Sequence, residues 1–138
     1  MTTSTSALAT RAALPELRVA GGLPGFPDSQ RYALVEVTGS DVFLLRSLDE
    51  EGLEFVVVPP ALFFPAYAPE VDDEAAAALG LETADDALVL VVVTLAGGLE
   101  SATCNLRAPV VVNRRTLQAA QVVLADDAHS LREPLRAA

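Results

Sequence analysis

The chain has 138 residues, a single Cys, a single His, 51% hydrophobic residues and a net charge of −10. That length supports one domain, and the hydrophobic content excludes disorder over most of it. One Cys and one His exclude a disulfide scaffold and a His/Cys-rich zinc site, and no apolar run approaches the roughly 18–20 residues that span a bilayer.

The charges are unevenly placed. All nine basic residues are Arg, and between residues 47 and 106 there are twelve acids and no Arg. The rest of the chain carries seven acids and nine Arg, so the middle holds the whole negative excess. Phosphate contacts need a basic footprint, so neither nucleic acid nor an anionic membrane is expected as a direct partner. A basic protein partner suits the chain better; the bland alternative is that the acids serve solubility.

Residues 1–14 are rich in Ser, Thr and Ala with a single Arg. They lack the apolar centre of a signal peptide and read as a disordered tail, which makes the cytoplasm the expected location. Residues 15–125 are expected to form the folded domain. Gly21-Gly22-Leu23-Pro24-Gly25-Phe26-Pro27 is a shaped loop, because Gly supplies positive φ and Pro fixes φ. It has neither the Lys nor the following helix of a phosphate cradle.

Short β-branched and aromatic runs follow at residues 32–37, 41–48 and 53–58, bounded by Gly, Pro and acid clusters. Their connections are too short for crossover helices, so antiparallel pairing is expected. Residues 72–79 break the pattern: acids precede four consecutive Ala residues, and Gly80 stands at the C-terminal cap position. A short helix is expected there. The Val/Leu run at 88–95 does not alternate, which predicts burial on both faces. Strands are expected at 103–107 and 110–113, a hairpin turn at Asn113-Arg114-Arg115-Thr116, and a return strand at 121–124. Asn105 lies among apolar residues, so it is expected to bond backbone near the bend at Pro109. Residues 126–138 show no pattern and are expected to be irregular. Many short strands with one helix predict an all-β barrel or sandwich; closing a small antiparallel β-barrel would remove the exposed edges of such Val-rich strands.

Catalytic chemistry is weakly represented. His129 reads as a solvated tail residue and Cys104 as a small buried hydrophobe. The Asp72-Asp73 and Asp85-Asp86 pairs each sit at the start of an element, where capping explains them. No catalytic residue, metal ligand or cofactor-binding residue is assigned. The stretch from Phe63 to Glu74 is different: two Phe and Tyr67, stiffened by Pro65 and Pro69, run into Glu70, Asp72, Asp73 and Glu74. An apolar anchor with an acidic rim has the anatomy of a protein-binding patch, with Tyr67 as anchor and the acids steering a basic partner. In the competing reading Phe63 and Phe64 are core and the acids merely start a helix.

The order of motifs resembles the flagellar assembly factor FliW family. It is carried by Gly22-Leu23-Pro24-Gly25-Phe26, Leu45-Arg46-Ser47-Leu48-Asp49, Phe55-Val56-Val57-Val58-Pro59-Pro60 and Phe63-Phe64-Pro65-Ala66-Tyr67. Leu88-Val89-Leu90 with Val93-Thr94 comes next, then the run of residues 103–113, whose Asn105-Leu106-Arg107-Ala108-Pro109 and Asn113 are the most specific part, and then Gln121-Val122-Val123-Leu124. The chain departs from the family at Leu44-Leu45-Arg46-Ser47, where a Trp-Leu-Gln-Ser-like stretch is usual, and at Cys104, where Ala is commoner. The resemblance implies a non-enzymatic regulator, monomeric when free, that binds the translational repressor CsrA, relieves its repression of flagellin mRNA, and also binds flagellin. A small ligand-binding barrel is the alternative.

Overall fold

The computed structural model describes residues 16–23, 25–37, 39–95, 101–124 and 129–134. The expected tail, residues 1–14, lies outside them. The turn chemistry sets where the strands begin and end. β1 (Glu16–Val19) leads through the Gly-Pro loop to β2 (Arg31–Glu36), and a turn through Gly39 joins β2 to β3 (Phe43–Ser47). A second tight turn, with Gly52 at positive φ, leads to β4 (Glu54–Val58). A 3-10 turn at Pro60–Leu62 and the helix α1 (Asp73–Leu79) precede the long β5 (Ala87–Thr94). β6 (Thr103–Cys104), β7 (Val110–Asn113), β8 (Gln118–Gln121) and β9 (Glu133–Pro134) complete the elements among the described residues.

The sheet order is β4-β3-β2-β1-β8-β7-β5-β6-β9, and β4 also pairs with β5. That extra pairing closes β1, β2, β3, β4, β5, β7 and β8 into a seven-stranded barrel, while β6 and β9 extend from one end of β5. The expected β-barrel with one short helix is therefore what the chain forms. Pairing is antiparallel except between β1 and β8, where Arg18 lies beside Gln118 and Val19 beside Ala119 in parallel. The expectation of purely antiparallel pairing fails here for a topological reason: a closed ring with an odd number of strands must contain a parallel pair.

Three further expectations are corrected. The strand expected at 103–107 stops at Cys104, because Asn105 Oδ1 accepts from the Arg107 and Ala108 N–H groups (3.1 and 3.0 Å) and folds the chain into a turn. This is the bonding expected of Asn105 near Pro109. The return strand runs over Gln118–Gln121 instead of 121–124. Leu117 at φ 66 closes the turn, so the return strand starts at Gln118; beyond Gln121 Pro109 has no N–H to give back, and pairing goes on only through the Val122 and Leu124 N–H groups. Within the C-terminal segment expected to be irregular, Glu133–Pro134 pairs with β6.

Two cores explain the runs that do not alternate. Leu17, Val19, Tyr32, Leu34, Leu45, Val57, Leu90, Val110 and Val112 fill the barrel. A second cluster, including Val58, Val91, Val93, Cys104 and Leu106, lies outside the barrel wall and is covered by Phe63, Phe64 and Tyr67. β4 and β5 serve both: Val57 and Leu90 point in, Val58 and Val91 point out, and all four are buried. Burial on both faces of β5 is thus observed. Phe63 and Phe64 pack as core, in line with the bland reading of those two residues.

The helix follows its sequence signals. Asp72 is the N-cap and accepts from the Ala75 N–H at 2.8 Å; Gly80 closes the other end at φ 71. The buried Asn113 donates from Nδ2 to the Leu79 carbonyl (2.8 Å), and its Oδ1 accepts from the Arg115 and Thr116 N–H groups. One amide therefore shapes the β7–β8 turn and ties the helix to it.

The loop before β2 is equally constrained. Gly22 sits at φ 70, and a Cβ there would run into the Phe26 carbonyl oxygen, with Pro27 Cα at 2.8 Å and Ser29 O at 2.9 Å. Gly25 also has positive φ but faces open space. Nearby, Asp49 accepts from the Gln30 N–H, the Arg31 N–H and the Arg31 guanidinium at 2.8–2.9 Å. The Arg31 N–H, then the Gln30 N–H, then the Arg31 side chain hold its carboxyl down at about 2.

Gly22→Ala is expected to lose about 2–4 kcal/mol in denaturant melts, from left-handed strain plus backbone collision, against about 1 kcal/mol for Gly25→Ala. Equal losses would show that the collision is relieved. The depressed carboxyl of Asp49 adds stability that is present above its unfolded pKa of 3.8 and is lost as pH falls toward about 2. Asp49→Asn should flatten that acid limb in melts recorded from pH 5 to pH 2; an unaltered limb would assign acid lability to other carboxylates.

Candidate functional site

Pro59 and Pro60 end β4 and start a tight turn in which the Phe63 and Phe64 N–H groups both reach the Pro60 carbonyl, at 3.0 and 2.7 Å. The Tyr67 N–H then bonds Phe64 O at 2.9 Å. This places the three aromatic rings on the second core. Tyr67 is half-buried; its hydroxyl donates to the Leu106 carbonyl at 2.6 Å, and its ring meets the edge of His129 with centroids 5.0 Å apart. Burial, with the neighbouring Cys104 thiol adding to it, pushes the phenol up to about 12. Burial, then Glu133, likewise pushes the Cys104 thiol up to about 11, which suits an unreactive packing residue.

Beyond Tyr67 the chain turns outward. Glu70, Asp73 and Glu74 are exposed, and none has an ion-pair partner among the described residues. Asp72 is exposed too, but its carboxylate is engaged as the helix cap. Elsewhere the acids of the middle segment are partly neutralised: Asp49 by Arg31, Glu54 by Arg46 and Asp86 by Arg115, at 2.9, 2.8 and 3.2 Å. Asp86 is held below the usual carboxylate range by the Glu82 N–H, the Arg115 side chain and the Thr83 N–H. The acids near residue 72 thus form a region of uncompensated charge.

Two of them, Glu70 and Asp72, border a cleft of about 890 Å³. One wall is the segment 66–72, with Glu70, Val71 and Asp72; the other is Val122, Val123 and Leu124, with His129 also lining it. Val123 is 74% exposed. A smaller cleft of about 420 Å³ lies on the other side of Val71, against α1 and β5. Structure therefore brings Glu70 and Asp72 to one cleft, with Asp73 and Glu74 following in the first turn of α1, while Tyr67 braces the segment from beneath. His129 was read from sequence as a solvated tail residue; it is half-buried against Tyr67. Val122, Val123 and Leu124 read in sequence as an ordinary strand, and no sequence signal marks them as a cleft wall.

A family model described as FliW protein matches residues 2–135. The chain belongs to the FliW family. It is 40% identical over 116 residues to the flagellar assembly factor FliW of Symbiobacterium thermophilum, covering 83% of this chain and 84% of that one. Against the flagellar assembly factor FliW of Bacillus subtilis it is 34% identical over 115 residues, 83% of this chain and 80% of that one. A solved crystal structure of the flagellar assembly factor FliW matches with a TM-score of 0.81 at 28% identity, over 87% of this chain and 84% of the other. The barrel with its short helix α1 is thus a FliW fold.

Tyr67→Phe should lower stability by about 1–2 kcal/mol, since the Leu106 carbonyl loses its donor. The phenol is protonated more tightly in the fold than at its ordinary value of 10.0, so its contribution is present below pH 10 and is lost as pH rises toward about 12. The Tyr67→Phe protein should therefore show a shallower alkaline limb in melts across that window. An identical limb would mean that the hydroxyl is free in solution.

Proposed function

We propose that this FliW-family chain is a non-enzymatic flagellar assembly factor that acts by binding proteins. It binds the RNA-binding translational regulator CsrA, relieves the repression of flagellin mRNA, and binds flagellin in exchange. The observation that carries this reading is the uncompensated acidic rim of Glu70, Asp73 and Glu74 beside an open cleft with one apolar wall, Val122 to Leu124. Asp72 holds the helix that presents the rim, and Tyr67 holds the segment that leads to it.

The physics of such a role is simple. A repressor that grips RNA is basic near its RNA site. Seating an acidic surface beside that site lowers its potential and weakens phosphate binding without covering it. The same charge disfavours direct binding of nucleic acid or anionic lipid by this chain. Among the described residues no helix is long and apolar enough to cross a membrane. In this reading the protein works in the cytoplasm, is a monomer when free and uses no cofactor.

A ligand-binding barrel is less well supported. The barrel interior is filled by Leu17, Tyr32, Leu45 and Leu90, all 1% exposed or less, so the room that a barrel-bound ligand needs is taken by side chains.

The test is to reverse Glu70, Asp73 and Glu74 to Lys together, leaving the capping Asp72 in place, and to follow association with CsrA. At low salt the on-rate should fall about tenfold. The difference should shrink near physiological ionic strength, where the Debye length is about 8 Å. Unchanged kinetics in a folded variant would move the contact to another face.

A further inference from the structure

β8 runs beside β1 on one edge and β7 on the other, but the two neighbours end at different places. On the β7 side, pairing continues past the strand: the Val122 N–H bonds Pro109 O at 2.9 Å and the Leu124 N–H bonds Arg107 O at 2.8 Å. On the β1 side, pairing stops. Arg18 N–H bonds Leu117 O and Ala20 N–H bonds Ala119 O, and then the chain turns away through Gly21 and Gly22. Residues 122–124 are therefore extended and anchored on one edge. Backbone groups alternate sides along a strand, so the N–H and C=O of Val123 face the other edge. No hydrogen bond reaches them from the described residues. Val123 also lines the 890 Å³ cleft, across from Glu70 and Asp72.

We infer that this cleft takes an extended segment of a partner protein, which adds as a strand to the free edge at Val123. Strand addition draws affinity from main-chain hydrogen bonds and selectivity from alternate side chains. Here Val123 on one wall and Val71 on the other accept small aliphatic side chains, and Glu70 and Asp72, flanking Val71, select Lys or Arg. The segment is thus one that alternates basic and aliphatic residues. The inference rests on the protein-binding reading above and adds how the partner is held. It also accounts for Val123, an apolar residue left exposed beside an unpaired edge, which proteins ordinarily cover or charge.

The test uses the full chain and hydrogen exchange read residue by residue. In the free protein the Val123 amide should exchange fast while Val122 and Leu124 are protected. A capped hexapeptide alternating lysine and valine should protect Val123, and a glutamate–valine hexapeptide should not. Val123→Pro removes the outward N–H and leaves the two anchoring ones, and should weaken the lysine–valine peptide by about five- to tenfold. Should that variant misfold, the exchange pattern of the parent decides. Purified CsrA and flagellin are run in parallel. Protection at Val123 by either, with loss of affinity in Val123→Pro, supports the inference. Binding of either with Val123 still exchanging fast overturns the strand addition and leaves the proposed function standing. Failure of both proteins to bind overturns the proposed function, and the hexapeptide then decides the inference alone. Protection of Val123 already present in the free protein overturns it in favour of the chain's own terminus, or of a second copy if the protection depends on concentration.

Discussion

Seven strands cannot alternate direction all the way round a closed ring, and much of this molecule is arranged around that fact. The parallel contact of β1 with β8 is where the ring absorbs the odd strand. Because those two strands are joined by no hairpin, they need not end together. β1 leaves at Ala20, and the loop through Gly22 carries it to β2 so tightly that no side chain fits at Gly22. The chain after β8 goes on bonded only on the β7 side. A long exposed edge is a hazard in most sheets, and here the exposed stretch is short and faces acidic side chains.

The second organising feature is that β4 and β5 are buried on both faces. Their inward residues belong to the barrel and their outward residues to a second core roofed by Phe63, Phe64 and Tyr67. The roof segment is pinned by Tyr67 to Leu106 and continues into the capped helix, whose far end is pinned by Asn113. The acidic surface is therefore carried on a segment fixed at both ends. Preorganised charge of this kind loses little ordering entropy when a partner docks.

Much of this was legible in the sequence because the signals were local. Gly39 and Gly52 mark turns, Asp72 and Gly80 bracket a helix, and the unbroken Val run of β5 announces burial on two sides. Asn105 declared a need for backbone partners and has them. What was not legible is set by distant parts of the chain. The parallel pair depends on strand count around the ring. The early start of β8 depends on Leu117 taking a left-handed conformation and its end on Pro109 standing opposite Val122, neither of which periodicity reveals. The acids of the candidate site were found from composition, but which of them are neutralised depends on Arg31, Arg46 and Arg115 reaching across the fold. The cleft wall at 122–124 is visible only once β1 is seen to depart.

The parallel pair also sets an order of events in folding. β1 to β4 can pair by successive short hairpins, but Arg18 meets Gln118 about a hundred residues later in the chain. Contacts so distant in sequence form slowly, because the entropy of the whole intervening loop is lost before they stabilise anything. On the ribosome the barrel cannot close until β8 has emerged. Until then β1 presents a bare edge beside Leu17 and Val19, the residues that will sit at the centre of the core. The nascent chain thus passes through a stage in which an edge far stickier than the one at Val123 is on display, and translation through the β7–β8 hairpin ends it.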